Sequence, residues 1–200
     1  MRKILGTRDQ YYDQTNDASV YLFDDYFNKK KMIACGPNAY VMGLDIAGWP
    51  LDIFTPEEQA SDGVLMVLHN PFNLKRIIDR RSDISYDNYP PNEVPQAYDV
   101  VSDILYPGKN ASEFIWGFDA DIMTKSIDAG KPMMVSGEFP AGGHYVLIVG
   151  YDTIRNTIIF NDPYKIQWSD KNGYNREEKF MTFYNRMTYK CRNEFNKKVA

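Results

Sequence analysis

The chain has 200 residues, 44% of them hydrophobic and 25% charged, with a formal net charge of −4. That balance supports one globular domain with a real core, and it excludes a dominant nucleic-acid footprint, which needs a basic face. No apolar run approaches the roughly 18 residues that cross a bilayer, and Arg2 and Lys3 are followed by only a stub of apolar sequence, so no secretory signal is read here.

In chain order, residues 1–17 read as extended or loop, with turn formers in DQYYDQTND. SVYLFDDYFNKK, within 18–31, fits either a helix or an irregular segment. A helix is predicted from Pro37, because proline is favoured at the first helical position. Ala39, Met42, Leu44 and Ile46 give it an apolar face, and Gly48 stops it. In TPEEQASDGVLMVLHN, Thr55 is an N-cap, Pro56 opens the helix and Glu58 closes a capping box. Asn70-Pro71 ends that helix. Residues 79–112, centred on YDNYPPNEVP, read as a loop-rich insertion facing a substrate or only solvent. A helix fits 119–129, ended by Gly130. PMMVSG, HYVLIVGY and TIIFND then read as consecutive strands of an antiparallel sheet. GYNREEKFMTFYNRM reads as a final helix. Helices first and strands later predict an α+β fold, with one domain over residues 1–200.

The chemistry-bearing residues are few. The chain has two cysteines, Cys35 and Cys191, and two histidines, His69 and His144. Cys35 stands directly before Gly36-Pro37, at the mouth of the first predicted helix, where a helix dipole favours a thiolate. His144 opens the second predicted strand just after Gly142-Gly143, glycines that leave room beside the ring. Asp162 closes the third strand. A short turn at 152–156 brings the end of one strand beside the start of the other, so His144 and Asp162 become neighbours. A carboxylate there fixes the ring tautomer and holds it toward a thiol. That is the arrangement nucleophilic catalysis needs. Spacing alone leaves a catalytic and a purely structural pair both open.

CGPNAYVMGLDIAGW, GGHYVLIVGYD and IIFNDPY, in that order, resemble motifs of the papain-like cysteine peptidases related to the bacteriocin double-glycine-leader peptidases (peptidase family C thirty-nine-like). The resemblance runs from about residue 10 to 165 and thins across 70–115. It implies a papain-like fold with the nucleophile helix packed against an antiparallel sheet. Cys35 is then the nucleophile, His144 the general base and acid, and Asp162 the residue that orients the histidine. Gln14 is the side-chain oxyanion donor, paired with the backbone N–H of Cys35. The interval from Gln14 to Cys35 is longer than the family's usual one, and Gln10 is the alternative. The implied activity is thiol hydrolysis of a peptide or isopeptide bond, with no metal or organic cofactor. Peptide, protein or peptidoglycan is the expected substrate, in the cytoplasm or after release from a phage-infected host. A peptidoglycan peptide hydrolase of the phage-lysin type, an acyltransferase and a catalytically silent binding module are the rival readings.

Other signals carry less. DQTNDASVYLFD lacks the central glycine and final glutamate of a calcium loop. His69 reads as a helix cap or packed ring, and no His/Cys cluster has zinc-ligand spacing. Lys29, Lys30 and Lys31 read as a solvated helix end, Tyr86, Tyr89 and Tyr98 as core and loop anchors, and Cys191 as a half-buried small hydrophobe. Asn110-Ala111-Ser112 is a glycosylation sequon that has meaning only on a secretory route.

Overall fold

The computed structural model describes residues 1–13, 35–53, 60–70, 73, 95–139, 143–165 and 168–199. Thr55, Pro56, Glu58, Pro71, Gly142, the 18–31 segment with its lysines, Tyr86, Tyr89 and the centre of the 79–112 stretch lie outside these residues. So does Gln14.

The described elements are β1 (Arg2–Ile4), α1 (Cys35–Ile46), α2 (Ala60–His69), α3 (Ala97–Leu105), β2 (Ser112–Trp116), α4 (Ala120–Asp128), β3 (Met133–Gly137), β4 (His144–Asp152), β5 (Thr157–Asn161), β6 (Arg176–Lys179), α5 (Phe180–Arg186) and β7 (Cys191–Phe195). Seven strands form one sheet in the order β2-β7-β3-β4-β5-β6, with β1 on β4. Every pairing is antiparallel. β4 is the long central strand. Its first half pairs β3 and its last three residues pair β1. The fold is α+β and papain-like, with α1 against the antiparallel sheet.

Alternation along the strands produces two cores. On one face, Met134, Tyr145, Leu147, Val149 and Phe195 meet α1, α2 and α3. On the other, Val135, Val146, Ile148, Ile158 and Phe160 meet Met123 and Ile127 of α4 and Phe183 of α5. The hairpin joining β4 and β5 is set locally. The Asp152 carboxylate accepts from the backbone N–H groups of Ile154 (2.9 Å) and Arg155 (3.1 Å), and Asn156 takes φ +52°. This turn puts the start of β4 and the end of β5 at one end of the sheet.

α1 departs from the amphipathic stripe expected of it. Every residue from Gly36 to Leu44 is buried, because the helix is enclosed by β3 and β4, by α2 and by a 3-10 turn at Arg8–Gln10. It begins at Cys35, two residues before Pro37.

The sequence reading is corrected in three places. Residues 97–105, read as part of a loop, form helix α3, whose Ala97, Tyr98, Val100 and Val101 are core. Their apolar spacing outweighs the polar composition of the surrounding stretch. Tyr98 is fully buried between Tyr40 and Tyr145. Residues 173–187, read as one helix, split into the edge strand β6 and the short α5. β2 and β7 were not anticipated. β7, CRNEF, lies buried between β2 and β3 although it carries Arg192, Asn193 and Glu194. Its charges are satisfied internally: Arg192 pairs with Glu194 (3.2 Å), which also accepts from Ser126 (2.7 Å) and Lys131 (3.2 Å).

Gly43 of α1 packs directly against Phe195 of β7. A Cβ there would lie 2.3 Å from the ring of Phe195, which is fully buried. Gly43→Ala should therefore destabilise the fold by about 1–2 kcal/mol, the overpacking cost exceeding the helix-propensity gain of about 1 kcal/mol. Urea unfolding should show a lower midpoint with an unchanged slope.

Candidate active site

The end of the β4–β5 pair holds a buried imidazole and a buried carboxylate. His144 is the first residue of β4 and Asp162 follows β5 directly. His144 Nε2 meets Asp162 Oδ1 at 2.7 Å. Gly143, just before the histidine, has φ +60°, and a Cβ there would touch nothing within 4 Å. The requirement at this glycine is thus the left-handed backbone and not the room expected from sequence.

Asp162 is fully buried. Its Oδ1 accepts from the backbone N–H of Tyr164 (2.8 Å) as well as facing His144, and its Oδ2 accepts from Trp168 Nε1–H (2.8 Å). The backbone here is fixed too. Asp162 N–H donates to the Gly173 carbonyl (2.8 Å), and the Asp162 carbonyl accepts from the Tyr11 hydroxyl (2.7 Å). A Cβ on Gly173 would sit 2.0 Å from that carbonyl oxygen and 2.2 Å from the Tyr11 hydroxyl, so no side chain fits. Burial, then the negative charges of Asp13 and Asp162, raise the Tyr11 phenol well above its usual range, which keeps it a donor.

Cys35 is a free, half-buried cysteine at the first turn of α1. It lies near enough to His144 to act on the ring's protonation. Because Nε2 faces Asp162, Nδ1 is the ring nitrogen left for the sulfur. Burial opposes charge on the ring. Negative charge and hydrogen bonding from Cys35 and Asp162 outweigh it, pushing His144 up to about 10. Tyr164 stands edge-on to the imidazole, with ring centres 6.4 Å apart. The other cysteine is different. Cys191 is buried in β7, and burial pushes its thiol up to about 12 against a smaller opposing effect of Arg192.

The structure thus brings Cys35, His144 and Asp162 together. It takes Gln10 elsewhere: Gln10 Nε2 donates to the carbonyl (3.1 Å) and carboxylate (3.2 Å) of Asp45, while its Oε1 accepts from the Thr7 N–H (3.1 Å). Asp45 is ten residues along α1 from Cys35, about 15 Å at 1.5 Å per residue. Gln10 is therefore a brace at the far end of the helix and not an oxyanion donor. His69 ends α2. Among the described residues no three His, Cys, Asp or Glu side chains are grouped to hold a metal ion.

Tyr11, Tyr164, Trp168 and Gly173 were not singled out from the sequence. The available signal was Asp162-Pro163-Tyr164 followed by a lone tryptophan and an Asn172-Gly173 turn. Only the return of residues 168–174 over Asp162 gives those residues meaning.

The model of the Peptidase_C39 like family matches residues 10–192. A crystal structure from Bacillus anthracis, described as a C39-like peptidase, shares the fold at a TM-score of 0.63 and 12% identity, covering 99% of each chain. No curated protein matches the sequence.

Proposed function

The chain belongs to the Peptidase_C39 like family, and from that premise we propose that it is a cysteine peptidase acting on a peptide or isopeptide bond of a peptide, a protein or peptidoglycan. The observation that carries this reading is the buried His144, held by Asp162 at 2.7 Å and acted on by Cys35 at the start of α1.

The Cys35 sulfur, as thiolate, attacks the carbonyl carbon. Protonated His144 gives its Nδ1 proton to the leaving nitrogen as the C–N bond breaks, and an acyl-thioester remains. His144 then takes a proton from water, which attacks the thioester and releases the acid and the thiolate. Asp162 stays ionised and holds the ring through Nε2. The N–H of Cys35 belongs to the first turn of α1, where backbone donors lack intrahelical partners, and it faces the developing oxyanion.

Gln14 is the proposed second oxyanion donor. Its support is the placement of the residues just before it. Tyr11 donates to the Asp162 carbonyl at 2.7 Å, and Asp13 forms an ion pair with Lys165. The three residues that precede it in the chain are thus anchored in part at the Asp162 loop.

Cys35→Ala should lower hydrolysis on the order of 10,000-fold or more with an unchanged melting temperature. In the native protein, iodoacetamide at mildly acid pH should place one label, on Cys35, since Cys191 is buried with a raised thiol. Equal labelling of both cysteines, or none, would favour a silent binding module.

The pH profile has a set direction. A raised His144 is protonated below its folded value and loses the proton as pH rises through about 10. kcat/KM should hold through the neutral range and fall on an alkaline limb near that value, as read from initial rates across pH.

Gln14→Ala should slow hydrolysis on the order of 100- to 1000-fold. Cys35 alkylation, which develops no oxyanion, should keep its rate. Unaltered hydrolysis would return the role to the backbone alone.

A further inference from the structure

We infer that Trp168 is a positioning residue that makes an ionised aspartate, and not an asparagine, obligatory at 162. The inference rests on the proposed roles of Cys35, His144 and Asp162. It is carried by the second carboxylate oxygen. Oδ1 faces His144 and the Tyr164 N–H, while Oδ2 accepts the Trp168 indole N–H at 2.8 Å. Donors therefore meet both oxygens of a fully buried side chain.

Asparagine holds the corresponding place in other thiol hydrolases. An amide has one accepting oxygen and one donating NH2 group. Turned one way at 162, its NH2 would face the Trp168 N–H. Turned the other way, it would face His144 and the Tyr164 N–H. Either orientation sets donor against donor in a site closed to water, and one buried N–H is left unmet.

The indole is held for this task. The Arg176 guanidinium lies over its ring at 4.1 Å, and Phe160 packs at 6.2 Å between ring centres. Arg176 is itself fixed by Asp170 (2.6 Å) and by the Asn172 carbonyl (3.1 Å). Among the described residues, charged and titratable groups around the pair include Cys35, Tyr164 and Tyr11, with Arg176 behind the indole and Lys165 paired to Asp13. Trp168 contributes a dipole and no charge. It fixes the direction in which the carboxylate presents Oδ1 to the imidazole.

The test is a double-mutant cycle of Trp168→Phe and Asp162→Asn, with kcat, KM and the alkaline limb measured for each. Trp168→Phe keeps a ring and removes the donor. kcat should fall roughly tenfold with KM within about twofold, and the alkaline limb should move to lower pH because the imidazolium has a less well-oriented partner. Asp162→Asn alone should cost far more, and its cost should shrink several-fold in the Trp168→Phe background. Losses that simply multiply, or a Trp168→Phe profile with kcat and limb unmoved, would overturn the inference. If Trp168→Phe melts below the assay temperature, β-(3-benzothienyl)alanine at 168, which replaces the N–H by sulfur in the same shape, gives the same readouts. Cys35→Ala separates the two levels: its retention of activity would sink the peptidase reading, whereas its inactivity beside an unaffected Trp168→Phe would sink only the positioning role.

Discussion

A carboxylate with no access to water must have its oxygens met by donors, and in this protein that demand organises the site. Asp162 is fully buried, and its contacts reach three separate parts of the chain. His144 comes from the neighbouring strand, Tyr164 from the next turn, and Trp168 from the segment that doubles back. Tyr11 and Gly173 then hold the backbone of the same residue. Losing a donor costs more here than it would in water, because the carboxylate is buried. The position of His144 is thus determined by the surroundings of Asp162 as much as by its own strand.

The thiol is placed by a different force. α1 is enclosed on all sides, so its axis is set by close packing, down to the Gly43–Phe195 contact that admits no methyl group. Gln10 ties the far end of the helix to the N-terminal segment through Asp45, and Tyr12 reaches the same carboxylate at 3.2 Å. A helix gripped along its length and at its end delivers its first residue, Cys35, to a fixed point. Packing therefore supplies one half of the geometry and hydrogen bonding the other. The two meet at the sulfur–imidazole contact, the least buried part of the constellation.

What could be read from the sequence follows from these two forces. The three strands around His144 and Asp162 announce themselves by β-branched runs and a short turn, and the structure pairs them in the expected antiparallel order. Helix α1 was visible through Cys35-Gly36-Pro37, although its burial all round was not, because periodicity reports a face only when one face is wet. α3 was hidden by the polar composition around it. β7 was hidden because its arginine and glutamate satisfy one another inside the sheet, against the rule that charges mark the surface. Trp168 and Gly173 were illegible for a third reason: their roles exist only after residues 168–174 fold back onto a residue six to eleven positions earlier.

The same reasoning explains why Gln10 and Gln14 could not be separated by type or motif. Gln10 stands just before and Gln14 just after Tyr11-Tyr12-Asp13, and both are amides able to donate. Gln10 is resolved by occupancy, since its amide is spent on Asp45 and Thr7 at the closed end of α1. Past Gln10 the chain divides its contacts, Tyr12 staying with Asp45 of α1 while Tyr11 and Asp13 reach the Asp162 loop. Gln10 is fastened about three turns of helix away from Cys35. Chemistry that the type of side chain would allow is thus withdrawn from Gln10 by the anchoring of the segment on which it sits.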